Sequence, residues 1–174
     1  MRNTLRTTLG FLATLVTRYT PLDLSKSSLE GIFNHLRIND ALTTSGQPTE
    51  EQFRRVRDAG FRRVINLAPH DGENALPDEA ATLAALGIEY IHIPVDFRAP
   101  SENDFARFCE AMEAARGEPL WVHCAANMRV SAFVYRYRRD VLCENAEDAA
   151  RDLEKIWEPF GAWKAFVAPR EEPR

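Results

Sequence analysis

The chain has 174 residues, of which 45% are hydrophobic and 28% charged, a composition that suits one globular domain with a buried core. Its 22 Lys and Arg against 26 Asp and Glu leave a net charge of −4, which argues against a protein that coats nucleic acid by bulk charge. Eight Gly and ten Pro are ordinary numbers and argue against a fibrous repeat or wholesale disorder. The three Cys form no CxxC pair, so neither a disulfide framework nor a zinc ribbon is indicated; reduced thiols in a cytoplasmic setting are expected.

Residues 7–17 (TTLGFLATLVT) are apolar and follow Arg2 and Arg6. The run is shorter than the roughly 20 apolar residues a bilayer span requires, and it lacks a small-x-small cleavage site. Leu5, Leu9, Leu12 and Val16 recur at helical spacing, which predicts a short amphipathic helix. Docking on the domain is preferred over contact of residues 1–18 with a partner or a membrane surface. Residues 1–27 are therefore read as a leader and 28–174 as one domain.

Beyond Ser28, strand and helix patterns alternate. Val64–Ala68, Tyr90–Val95 and Leu120–Cys124 are short β-branched or aromatic runs, and Ala41–Ser45 is a weaker one. Thr49 with Gln52 reads as a capping box opening a helix that turns Phe53 and Val56 inward and stops at Gly60. Pro77 and Asp78 open the next, with Leu83 and Leu86 inward and Gly87 as its stop. Ser101 opens a third, presenting Phe105, Phe108, Cys109, Met112 and Ala115 on one face. A fourth follows Cys124 with Val130, Phe133, Val134, Tyr137 and Val141 inward, and Asn145 caps a fifth carrying Leu153, Ile156, Trp157 and Phe160. This alternation predicts an α/β fold: a central, mostly parallel sheet flanked by helices, with the ligand site beyond the C-terminal ends of the strands.

The chemistry gathers where the Leu120 strand turns into its helix, at Leu120-Trp121-Val122-His123-Cys124-Ala125-Ala126-Asn127-Met128-Arg129-Val130-Ser131. A Cys ends a buried strand, a loop of small residues follows, and an Arg begins a helix. Such a loop can turn successive N–H groups inward as an anion nest, and the helix N-terminus adds its partial positive charge at the same point. Arg129 can hold two phosphate oxygens in its planar fork. In that field Cys124 is expected to act as a thiolate, a nucleophile for phosphorus.

At these residues the chain resembles the cysteine-dependent protein tyrosine and dual-specificity phosphatases, whose signature is HC, five residues, Arg, then Ser or Thr. The resemblance runs from about Ser45 to Asp140: Ser45-Gly46-Gln47-Pro48 resembles the opening strand and turn of bacterial members, and Tyr90–Val95 followed by Asp96 resembles the strand and general-acid loop. A group of small bacterial phosphatase-like proteins carries a nearly identical HCxANxRVSAF segment. The resemblance implies a phosphatase-type fold and a phosphomonoester substrate, either a phosphorylated protein or a small molecule. It implies no metal or cofactor. It makes Cys124 the nucleophile, Arg129 the phosphate clamp, Asp96 the general acid, and the N–H groups of Ala125, Ala126, Asn127, Met128 and Arg129 the phosphate cradle. His123 would orient the loop.

Three departures stand out. Four residues separate Cys124 from Arg129 where the signature has five, Asn127 replaces the mid-loop Gly, and Val130 displaces the Ser by one to Ser131. Asn tolerates a left-handed conformation; Ser131 is less well placed to hydrogen-bond the thiolate. A four-residue loop is also that of rhodanese sulfurtransferases, but these carry Asp-x-Arg on an early strand, where this chain has Ile65-Asn66-Leu67. A phosphate-binding pseudophosphatase is the non-enzyme alternative. Cys109 and Cys143 read as core or surface thiols. His70 and His92 lack metal-site spacing, and His92 reads as the solvent side of its strand. Asp104 suits the first turn of the Ser101 helix; the alternatives to Asp96 are an acid from elsewhere, such as Asp71 or Glu73, or a substrate that needs no acid. The arginine clusters Arg54, Arg55, Arg57, Arg62 and Arg63, and Arg136, Arg138 and Arg139, read as solvated helix faces, with steering of an anionic substrate as the alternative, and lack the aromatic interleaving of a nucleic-acid platform.

Overall fold

A computed structural model describes residues 2–18 and 28–169. The side chain of Val16 and residues 19–27 of the leader lie outside the described residues. Five strands, β1 (Leu36–Arg37), β2 (Leu42–Ser45), β3 (Arg63–Asn66), β4 (Glu89–His92) and β5 (Leu120–His123), form one sheet in the order β1-β2-β5-β3-β4. Only β1 runs antiparallel to its neighbour; the β2–β5, β5–β3 and β3–β4 pairings are parallel. The expected α/β architecture is thus present, with β5 at the centre.

The helices are α1 (Arg2–Arg18), α2 (Glu50–Asp58), α3 (Glu79–Ala85), α4 (Glu102–Ala114), α5 (Met128–Arg136), α6 (Ala146–Ile156) and α7 (Ala162–Phe166). Local chemistry accounts for most of their starts. Thr49 and Gln52 form the capping box of α2, and the side chains of Asp78, Ser101 and Asn145 cap α3, α4 and α6. Gly60 and Gly87, at φ +98° and +67°, follow α2 and α3 in a conformation that costs a β-carbon dearly.

Alternation along the strands divides the core between the two faces of the sheet. Val64 and Trp121 join Phe53, Val56, Phe61, Leu83 and Ile88 on the face covered by α2 and α3. Their neighbours Ile65 and Val122 join Phe105, Phe108, Phe133, Trp157, Trp163 and Phe166 on the face covered by α4, α5, α6 and α7. Arg136 is fully buried in that second layer, its guanidinium over the rings of Phe105 and Phe166 and its ends on Glu102 and Asp140.

Two expected core residues are on the surface. Val141 is 43% exposed because α5 continues into a π-helical turn over Tyr137–Val141, whose wider winding rotates it out of register. Phe160 is 54% exposed because α6 ends at Ile156, and its ring meets Trp157 edge-on from outside. Leu86 and Cys109 are half-buried. β1 and α7 are additional to the elements read from the sequence. Among the described residues no helix is long and apolar enough to cross a membrane.

Candidate active site

Cys124 follows β5 directly and lies between the ends of the two flanking strands. Its N–H donates to Ser45 O (3.3 Å), and the preceding carbonyl, His123 O, accepts from Leu67 N (2.9 Å). Cys124 is fully buried. The loop after it is held by its carbonyls: Ala125 O accepts from Gln47 N (3.3 Å) and from Asn74 Nδ2 (2.9 Å), and Ala126 O accepts from Asn34 Nδ2 (3.0 Å). In a trans peptide the N–H points opposite to the carbonyl, so tying Ala125 O outward aims the Ala126 N–H to the other side. Gly46 permits this approach, since a β-carbon there would stand 3.1 Å from Ala125 O and 2.8 Å from the Phe33 ring.

Asn127 occupies the left-handed region at φ 64°, ψ 2° and is the N-cap of α5, yet its side chain makes no capping bond. Instead Nδ2 donates to Asn34 O (2.8 Å) and Thr44 Oγ1 (3.0 Å). The first helical bond of α5 runs from Ser131 N to Asn127 O (3.0 Å), so the N–H groups of the first turn, at Met128, Arg129 and Val130, have no intrahelical acceptor. Together with the Ala126 N–H they make a cluster of donors at the positive end of a helix.

Arg129 is half-buried. Its Nε donates to Val95 O (2.9 Å) and its guanidinium lies 5.2 Å from the Phe97 ring centroid. Among the described residues neither terminal nitrogen has a protein partner, which leaves the fork for an oxyanion. The same contact joins the loop to the segment carrying Asp96. Asp96 is exposed and accepts from Arg98 N (2.8 Å), closing a tight turn with Ala99 N on Asp96 O (3.2 Å). Phe97 packs on Trp157 and Trp163, with ring centroids 5.8 and 5.4 Å apart, and its carbonyl accepts from Trp163 Nε1 (2.8 Å). α7, absent from the sequence reading, thus pins the segment beside Asp96. Asp104 sits in the first turn of α4, bonded to Ser101.

The Ser131 hydroxyl is engaged elsewhere: it donates to Met128 O (3.1 Å) and accepts from Trp157 Nε1 (3.2 Å). His123 is fully buried, and its Nε2 donates to Glu79 Oε1 at 3.1 Å. Glu79 also accepts from Asn66 Nδ2 (2.9 Å) and Gln47 Nε2. Burial opposes ionisation of Glu79, but the charge of His123 and hydrogen bonds from His123, Gln47 and Tyr90 outweigh it and hold the carboxyl near pH 2. Among the described residues two buried side-chain atoms of this segment have no hydrogen-bond partner, His123 Nδ1 and Asn127 Oδ1.

His92 departs from its expected solvent-facing position. It is half-buried, stacked on His70 with centroids 3.7 Å apart, and its Nε2 donates to Ala68 O (2.8 Å). Burial lowers its pKa. Among the described residues no group of three or more His, Cys, Asp or Glu is placed to hold a metal. Burial pushes the Cys109 thiol up to about 11, and Cys143 is exposed.

Comparison with known proteins bears on the family and the fold. The model of the family described as DSP-PTPase phosphatase fused to NAD+ kinase matches residues 13–161. A solved DUF442 phosphatase-group protein from Shewanella putrefaciens CN-32 is 34% identical, superposes with a TM-score of 0.71, and is matched over 80% of this chain and 91% of its own. The TpbA structure from P. aeruginosa, 18% identical with a TM-score of 0.63 over 78% of this chain and 83% of its own, shares the fold. A beta-lactamase hydrolase-like protein from Agrobacterium fabrum is 34% identical over 97 residues, 54% of this chain; the chain spans 22% of the length of that relative.

Proposed function

The chain belongs to the DSP-PTPase phosphatase family described as fused to NAD+ kinase, and from that membership we propose that it hydrolyses phosphomonoesters through a cysteinyl-phosphate on Cys124. One arrangement carries the reading: directly after a buried Cys, a loop tied outward by its carbonyls leads into an uncapped helix whose second residue, Arg129, offers an unoccupied fork.

The phosphoryl group enters the loop so that the N–H groups of Ala126 and the first turn of α5, with the terminal nitrogens of Arg129, hold its equatorial oxygens. These donors neutralise charge that spreads over the oxygens in the transition state. The Cys124 thiolate attacks phosphorus in line; the S–P bond forms, the P–O ester bond breaks, and Asp96 gives its proton to the departing oxygen. To do so Asp96 releases its bond to Arg98 N. Water then attacks phosphorus, Asp96 takes the proton, the S–P bond breaks, and inorganic phosphate leaves. The substrate is a phosphorylated protein or a small phosphomonoester, and the setting is the cytoplasm, where thiols stay reduced.

Cys124→Ser tests the reading. Phosphate release from an aryl phosphate is expected to vanish while the circular dichroism spectrum and melting transition stay as in the parent. Full activity in the variant would remove Cys124 from the mechanism. Saturable binding of inorganic phosphate without turnover in the parent would assign a phosphate-binding role instead.

A further inference from the structure

Helix α1 meets the domain with a mixed face and leaves a leucine stripe outside. Thr7 is fully buried, its hydroxyl donating to Ile156 O (2.6 Å), Asn3 Nδ2 reaches Glu154 O (2.7 Å), Arg6 reaches Lys155 O (2.7 Å), Gly10 lies against the Phe33 ring, and Phe11 is half-buried. Those acceptors are carbonyls at the end of α6, which would otherwise lack donors. On the opposite side Leu5, Leu9 and Leu12 are 61%, 57% and 51% exposed. Leu5 continues into a cleft of about 460 Å³ shared with Thr4, Thr8, Pro159 and the exposed Phe160. An amphipathic helix on a globular domain ordinarily turns its apolar stripe to the core; here the stripe faces out.

We propose that this outer face of α1, extended by Phe160, docks on an anionic membrane surface. Charge chooses the occupant. α1 contains three arginines and no acidic residue, Arg2 is exposed close to the leucine stripe in helical projection, and one carboxylate, Glu158, lines the cleft. A basic residue beside an exposed apolar stripe, on a helix that carries no acid, is the pattern of a helix lying in the plane of an anionic interface. A second copy fits less well. A two-fold contact through this stripe would bring two arginine-bearing, acid-free helices together. The hydrogen bonds to α6 keep α1 on the domain while its outer face meets lipid, and Asn34 Nδ2 links Thr7 Oγ1 (3.1 Å) to Ala126 O (3.0 Å) in the catalytic loop.

The test is co-sedimentation of the full chain with vesicles of phosphatidylcholine alone or with phosphatidylglycerol added. Binding is expected to the mixed vesicles, weakened by salt, and not to neutral ones. Leu9→Asp, at an exposed position, is expected to lower apparent vesicle affinity about tenfold or more; its melting transition and its turnover of a soluble aryl phosphate stay unchanged. Arg2→Glu weakens binding to the mixed vesicles. Absence of sedimentation with either vesicle, equal binding to both, or equal binding by Leu9→Asp would overturn the proposal. So would a dimer that Leu9→Asp dissolves in the absence of vesicle binding, which would give the face to a second copy.

Discussion

Removing the carboxylate bonded to His123 tests how the loop from Cys124 to Arg129 is held. Glu79→Ala strips His123 Nε2 of its acceptor and takes one of two acceptors from Asn66 Nδ2 and Gln47 Nε2, which keep Tyr90 Oη (3.1 Å) and Pro48 O (3.2 Å). Glu79 is 4% and His123 0% exposed, so solvent cannot replace the lost partner, and breaking one side of such a pair costs about 3–5 kcal/mol. The protonation equilibrium leads to a similar size. The carboxyl titrates near 2 in the folded protein against 4.5 unfolded, a difference worth about 3 kcal/mol. The folded state binds fewer protons across that interval, so the contribution is complete above about pH 4.5 and is lost as pH falls toward 2. Urea unfolding at neutral pH measures the first effect; for a chain of this size 3–5 kcal/mol lowers Tm by about 6–20 °C. The Glu79→Gln variant, which cannot ionise, isolates the second: its stability falls less between pH 4.5 and 2 than that of the parent. A loss below about 1 kcal/mol in Glu79→Ala, or identical acid profiles for the parent and Glu79→Gln, would refute the reasoning.

Other outcomes follow from the same contacts. Arg129→Lys keeps the charge but loses both the fork and the Nε bond to Val95 O; kcat/KM for an aryl phosphate should fall about 10²-fold or more, and unchanged kinetics would free Arg129 of its role. Asp96→Ala should slow poor leaving groups by roughly 10²-fold and good ones much less; an equal loss for both points to a different acid. Trp163→Phe removes the donor to Phe97 O, costing about 1 kcal/mol of stability, and its activity loss should be larger for poor leaving groups, because the segment it pins carries Asp96. A loss independent of the leaving group would make Trp163 purely structural.

Much of the fold was legible because its signals are local. Ile65 and Val122 alternate with Val64 and Trp121, and period two places them on opposite faces of the sheet. Thr49, Asp78, Ser101 and Asn145 each declare a helix start through a side chain that caps its own backbone. The loop from Cys124 to Arg129 was legible for the same reason, since strand, small residues and helix are contiguous. What escaped depends on distance along the chain. Glu79 drew no notice in the sequence, since nothing near it signals His123, 44 residues away. The bond from Trp163 to Phe97, 66 residues back, has no sequence signature. α7 is five residues long, too short for a helical period to show, and β1 has two residues. The outward face of α1 was missed because helical spacing reveals an apolar stripe without saying which way it points.

The most direct measurement is acid quenching of a single turnover of the parent enzyme on an aryl phosphate, followed by mass mapping of its peptides. The account predicts one added phosphoryl group on the peptide containing Cys124, appearing before inorganic phosphate and decaying at the rate of its release. Phosphate released at full rate with no adduct on Cys124 at any time, or an adduct on another residue, would contradict it.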